Sequence, residues 1–226
     1  GGITHPKTGS NGFGYNILKN FDHTIIPVKP DLVPLVTNED VKLWKGIRIN
    51  VHAKLYVDDK LACENTGEAQ LTDYGISGIC IMNLSRFIDK TKKNTLMINF
   101  LPIIHNLYDY ICERNDKLNN RTIIELLESL INYKLLYYIL KKVHINSDYC
   151  WNELSDDKKK LLVNTISECK LNIIGTKDEN YGETTCGGVV LEEVSDTCES
   201  KIVPNLYITG ELLDIDGVCG GYNLTN

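Results

Sequence analysis

No stretch of this 226-residue chain is apolar for anything near the roughly 20 residues that a membrane-spanning helix needs. None of its eight cysteines (Cys63, Cys80, Cys112, Cys150, Cys169, Cys186, Cys198, Cys219) forms the close C-x-x-C pair that zinc sites usually bring, so no metal site is expected. The chain is also too long for a disulfide-stapled miniature domain, and reduced thiols in a cytoplasmic protein are the expectation. It lacks a basic excess as well. With 24 Lys and Arg against 30 Asp and Glu, the net charge of -6 provides no field to neutralise phosphates, which argues against nucleic acid as a partner. The two short lysine runs, Lys90–Lys93 (interrupted by Thr91) and Lys158–Lys160, read as solvated faces. Methionine is missing until Met82, and the chain opens on Gly1-Gly2, which reads as a piece of something larger.

The middle of the chain is rich in pattern. In "IRINVHAKLYV" the residues Ile47, Ile49, Val51, Ala53, Leu55 and Val57 alternate onto one face, and Asp58-Asp59 follows as a hairpin turn. "TGEAQLTDYG" and "NTLMINFLP" read as further strands of a small antiparallel sheet, closed or nearly closed to a barrel. Between them "GISGICIMNLSRFIDK" carries Ile76, Cys80, Leu84 and Phe87/Ile88 at helical spacing, with Ser77 as the expected cap. From Ile103 to Cys169 the period is helical throughout. Ile123, Leu127, Leu130, Ile131, Leu135 and Ile139 form one stripe, and Ser155 caps the last helix with Asp156 and Asp157 in its first turn, so a bundle of three or four helices is expected. "LNIIGT" reads as a strand.

The two ends differ from the middle and resemble each other. The opening is glycine-rich to Gly14 and then helical, with Tyr15 and Leu18, extended by Ile17 and Phe21, as its apolar stripe; "HTIIPV" reads as a strand stopped by Pro27 and Pro30. The close is again glycine-rich, with "NLYITG" as a short strand. A nested arrangement follows: both ends pair into one layered α/β domain, and the middle is inserted into it. The expected boundaries are 1–31, 32–102 (barrel), 103–175 (helices) and 176–226. "TGSNGFGY" lacks the Gly-Lys-Ser/Thr ending of a nucleoside-triphosphate loop.

"GGITHPKTGSNGFGY", "DHTIIPVKPDLVPL", "GEAQLTDYGISG", "TTCGGVVLEEV" and "CESKIVPNLYITGELLDIDGVCGGYNL" together resemble, in order and over the whole chain, the aminoacetone-oxidase and bile-acid-reductase type of bacterial NAD(P)/FAD-dependent oxidoreductase. The resemblance implies an α+β multidomain protein in which an FAD domain of two-dinucleotide-binding type is interrupted by a β-barrel and a helical subdomain. It further implies FAD as cofactor, a nicotinamide nucleotide and a small molecule as partners, and a homodimer as one possible state. The family's G-x-G-x-x-G turn would lie before Gly1 and its last helix after Asn226, so this chain alone is expected to hold FAD weakly or not at all and to be inactive. An alternative is that the insert is a binding, lid or dimer module with no catalysis of its own.

For the site, the resemblance places Gly9 and Gly12 in the flavin-side loop, with Thr8, Ser10 and Gly14 also matching and Phe13 standing where Asp is usual. Gly210 and Glu211 would lie at the ribityl hydroxyls, Gly220 and Gly221 at a close backbone approach, and Asn223 and Leu224 at the carbonyl edge of the flavin. It names no catalytic residue. Asp73 and Ile79 depart from the family's usual His and Pro, and Cys186 and Cys219 are expected to be small buried groups.

Overall fold

The computed structural model describes residues 1–119 and 121–224. It divides into two compact units, Leu35–Gly175 and the two chain ends, Gly1–Pro34 with Thr176–Asn226.

The first unit is a closed six-stranded barrel with helices. Strands β2 (Leu35–Thr37), β3 (Arg48–Val57), β4 (Lys60–Leu71), β5 (Gly75–Ser77), β6 (Asn94–Asn99) and β7 (Cys169–Thr176) close in the order β2-β5-β4-β3-β6-β7. The β3–β4 hairpin turns on Asp58 and Asp59, with φ of 49° and 60°. Two consecutive left-handed residues match the twist of paired strands, and Asp tolerates that region better than most side chains. Val51, Ala53 and Leu55 are fully buried on the inward face, as alternation requires. β4 is one continuous strand that includes "TGEAQL". The barrel also reaches beyond 32–102, because its closing strand β7 comes after the helices. The Asn38 N–H donates to the Asn172 carbonyl (3.0 Å), and the Asn172 N–H donates to the Glu39 carboxylate (2.9 Å). At the β2–β5 contact a side chain at Gly75 would collide with the Leu35 carbonyl, so only glycine fits.

Helix α2 (Ile79–Ser85) buries Cys80, Ile81, Met82 and Leu84. Its cap is Gly78 (φ 97°) and not Ser77, whose hydroxyl faces the Met82 sulfur (3.6 Å) from within β5. The helical stretch contains α3 (Leu107–Leu118), α4 (Ile123–Leu127), α5 (Tyr133–Lys142) and α6 (Asp156–Ser167). The single apolar stripe expected from 123 to 139 is broken into α4 and α5, because the Asn132 side chain accepts the Lys134 N–H and starts a new helix. Ser155 caps α6 by accepting the Lys158 N–H. Trp44 packs against Tyr138 of α5 with ring centroids 4.5 Å apart and ring planes tilted by 46°, and donates its indole N–H to the Thr72 carbonyl, so barrel and helices share one core.

The unit of the chain ends holds α1 (Phe13–Asn20) and a two-stranded antiparallel sheet of β1 (Ile25–Asp31) and β8 (Thr184–Val189). α1 buries Tyr15 and Leu18, while Ile17 and Phe21 stay half-exposed. Pro27 and Pro30 do not stop β1. The register shifts between Ile26 and Lys29, which takes Pro27 out of the pairing. Pro30 stays paired with Thr185 on a strand with one neighbour, where a missing N–H is tolerated. "NLYITG" is not a strand. Tyr207 makes one bridge to Glu199, and the chain then enters a 3-10 turn at Gly210–Leu212. Its amides are used locally: Leu206 N–H bonds the Val203 carbonyl, and Ile208 N–H bonds the Cys198 carbonyl. The core here is small, formed by Leu18, Val189, Val194, Ile208 and Leu213. Among the described residues no helix is long and apolar enough to cross a membrane.

Candidate functional site

The glycine-rich segments expected to face the cofactor all lie in the unit of the chain ends. Gly9 (φ 101°) closes the 3-10 turn Pro6–Thr8, and Gly12 (φ 71°) starts α1. The Gly12 N–H donates to the Gly2 carbonyl at 3.1 Å, and the Gly2 N–H donates to Glu211 Oε2 at 3.1 Å. The other carboxylate oxygen, Oε1, accepts the Thr185 N–H of β8 at 3.2 Å. Thr185 Oγ1 accepts the Ile3 N–H at 2.8 Å, and the Tyr15 hydroxyl donates to the Glu211 carbonyl. The head of the chain, α1, β8 and the 210–212 turn therefore meet in one knot of hydrogen bonds. Burial, with the Glu211 carboxylate and Cys186 nearby, pushes the Tyr15 hydroxyl up to about 12, so it stays a donor throughout the neutral range.

The last glycines form a second element. Gly220 (φ 142°), Gly221 and Asn223 belong to a loop that closes on itself: Asn223 Oδ1 accepts the Gly217 N–H (2.7 Å), and Asn223 Nδ2 donates to the Gly217 carbonyl (3.1 Å). The Asn223 amide is thus spent on its own loop. Leu224 ends the 3-10 turn that starts at Tyr222, and its side chain is outside the described residues. That turn lies against the Gly210–Leu212 turn. Cys219 is not a buried hydrophobe. Its thiol donates to Glu183 Oε2 (3.1 Å), and burial together with that carboxylate pushes it up to about 11. Cys186 is half-buried. All eight cysteines are free thiols, and the described residues contain no cluster able to hold a metal ion.

Thr185, Gly2 and Tyr15 carry no cofactor signal in the sequence. They are found only because the fold brings residues about 180 to 210 positions apart within hydrogen-bond reach. The sequence likewise hides a set formed by Ser200, His23 and Glu193. His23 Nδ1 lies 2.9 Å from Glu193 Oε2, and His23 Nε2 lies 2.9 Å from Ser200 Oγ. That is the order of a nucleophilic triad, but the serine is unsuited to the task. Ser200 is buried, and its Oγ accepts the N–H groups of Ile202 (3.0 Å) and Val203 (2.9 Å). Two amides occupy its lone pairs and its proton is directed at His23, so the set is a tie between distant segments.

A family model described as the HI0933-like protein Rossmann domain matches residues 1–226. The chain is 34% identical over 232 residues to a 3-dehydro-bile acid delta(4,6)-reductase of Clostridium scindens, covering 99% of this chain and 57% of that protein. It is 30% identical over 226 residues to a ribosomal RNA dihydrouridine synthase of Haemophilus influenzae, and 26% identical over 228 residues to one of Escherichia coli. Each of those matches covers 99% of this chain and 55% of the relative, so the chain spans about half the length of the curated relatives it matches. It belongs to the HI0933-like Rossmann-domain family of FAD-binding oxidoreductases.

Proposed function

We propose that this chain supplies the flavin-facing side of the FAD site in an oxidoreductase that moves hydride from a reduced nicotinamide nucleotide to a small-molecule acceptor. The observation that carries the reading is the knot at Glu211, which joins the Gly9/Gly12 loop to the Gly210 turn. These were the segments that the resemblance assigned to the cofactor, and they are far apart in the chain.

The residues fit such a group. Around Gly9, Gly210 and Gly221, the position that a side chain would take has no heavy atom within 4 Å, so each leaves open space beside its backbone. Backbone there can approach a planar ring more closely than any other residue allows. Gly9, Gly210, Gly220 and Gly221 would hold the cofactor by main-chain contact, and Gly12, whose N–H is donated to the Gly2 carbonyl, would set the loop that carries Gly9. Asn223 would shape the last loop, with Leu224 at its end. Bound FAD would supply the hydride chemistry, and the chain's own contribution is binding, orientation and exclusion of water.

A small acceptor is favoured over RNA by the acidic balance of the chain, 30 Asp and Glu against 24 Lys and Arg. The test is titration of the full-length protein with FAD, followed by anaerobic mixing with NADH or NADPH. Quenching of flavin fluorescence and bleaching of the bound flavin by either nucleotide are expected. A protein that takes up no FAD would refute the proposal.

A further inference from the structure

We infer that the outer wall of the barrel carries a site for a small zwitterion with an apolar body, the chemistry of a free amino acid with an apolar side chain. The inference concerns the Leu35–Gly175 unit alone and does not rest on the flavin reading.

The site grows out of the barrel register. Met97 of β6 is paired with Lys54 of β3 on one side and Lys170 of β7 on the other, and Thr95 is paired with Tyr56 and Asn172 in the next row. Paired residues share a face, and Leu96 and Ile98 fill the barrel interior, so Thr95, Met97 and their partners point outward. Tyr56, Thr95 and Met97 are nonetheless half-buried, because they lie in a cavity of about 530 Å³. That volume is in the range of small-molecule clefts, and the Met97 thioether gives it a polarisable apolar floor.

Asp59, Lys93, Glu168 and Lys170 line the same cavity, and their charges cancel, so it offers no net field to a simple anion or cation. Lys93 and Asp59 satisfy each other at 2.8 Å. Beside the cavity, His52 and Lys54 share the Glu64 carboxylate (3.2 and 3.7 Å), and the Lys142 ammonium donates to the Lys170 carbonyl (2.9 Å). Glu168 and Lys170 are left over. Among the described residues, neither the carboxylate nor the ammonium has an ion-pair or hydrogen-bond partner, and they do not pair with each other. A ligand completes the set if it brings an ammonium to Glu168, a carboxylate to Lys170 and an apolar group to Met97. Both charged residues are exposed, so each new pair adds little, and a Kd on the order of millimolar is expected.

The test is methyl NMR of the full-length protein labelled at its methionine methyl groups, with the Met97 signal identified by its loss in Met97→Leu. The probes are free leucine and its two halves, isopentylamine, which lacks the carboxylate, and isocaproate, which lacks the ammonium. Leucine should shift the Met97 signal saturably and leave that of buried Met82 in place. Each half should bind about fivefold more weakly, the scale of one exposed ion pair. Lys170→Gln and Glu168→Gln should each weaken leucine binding by about fivefold as well. The losses should cross: Glu168→Gln no longer prefers leucine to isocaproate, and Lys170→Gln no longer prefers it to isopentylamine. Both positions are exposed, so the variants should melt as the unaltered protein does.

The inference is overturned if leucine leaves the Met97 signal unmoved, or if either half binds as tightly as leucine, which would make the wall a surface for simple ions or apolar groups. It is equally overturned if Lys170→Gln and Glu168→Gln both bind leucine as the unaltered protein does. None of these results bears on FAD uptake, so the flavin reading stands or falls separately.

Discussion

The unit of Leu35–Gly175 and the unit of the chain ends are stabilised by different physics. The former buries a continuous apolar core from Leu35 through Trp44, the barrel interior and the helices to Ile173. The latter has five buried apolar side chains in its cluster and is tied by side-chain to main-chain hydrogen bonds at Glu211, Thr185, Glu193 and Ser200. Burial of apolar area is cumulative and tolerant of small shifts, whereas each hydrogen-bonded tie is local and depends on geometry. A region that must present open glycine backbone has little apolar surface to bury, so polar ties take over its cohesion.

The widest separation between the units is expected from Trp44→Ala. Removing a fully buried indole costs about 3–5 kcal/mol, and the loss should fall on unfolding followed by Trp151 fluorescence, leaving the ties of the end unit in place. Next comes Ser200→Ala, which strands the Ile202 and Val203 amides and His23 Nε2. A loss of about 1–3 kcal/mol is expected, with faster amide exchange in residues 193–208 and none in the barrel. If exchange in β3 and β6 rises equally, the two units are not separately held.

Acid should sharpen the same contrast by a smaller amount. Burial pushes the Glu193 carboxyl up, but hydrogen bonds from Thr24 and His23 outweigh it and bring the pKa below its ordinary 4.5. A group with a lowered folded-state pKa contributes stability above its unfolded value and loses it as pH falls through the folded one. Amide protection around Thr24 and Glu193, taken relative to the intrinsic exchange rate at each pH, should therefore be flat above about pH 4.5 and fall below it, and Glu193→Gln should abolish the step. Lys45→Ala should matter least. Its ion pair with Asp73 (2.6 Å) lies on the exposed surface, where such pairs contribute about 0.5 kcal/mol or less; a larger drop in urea midpoint would mean that it carries packing as well.

How much of this was legible in the sequence follows the same division. Val51, Ala53 and Leu55 declare β3 by alternation, and Asp58-Asp59 declares its turn, because both signals are local. The closing role of β7 is not legible, since pairing with β6 across the helices leaves no trace in the residues themselves. Ser77 reads as a cap in the sequence because a serine before an apolar run looks the same whether the helix starts after it or one glycine later. In the end unit the resemblance drew notice to Gly9, Gly12, Gly210, Glu211, Gly220, Gly221, Asn223 and Leu224. It could not show that Asn223 is spent on Gly217, or that Glu211 faces Gly2 and Thr185. Hydrogen bonds between residues 209 and 182 positions apart have no sequence period to betray them.

The seam of the barrel has one further consequence. Asn38 bonds Asn172, and Pro34 accepts the Lys177 N–H at 2.9 Å, so the outgoing and returning chain run side by side at both pairs. Loops between α3 and α6 that change in length are thus expected to leave both pairs, and the spacing of the glycine-bearing ends, in place.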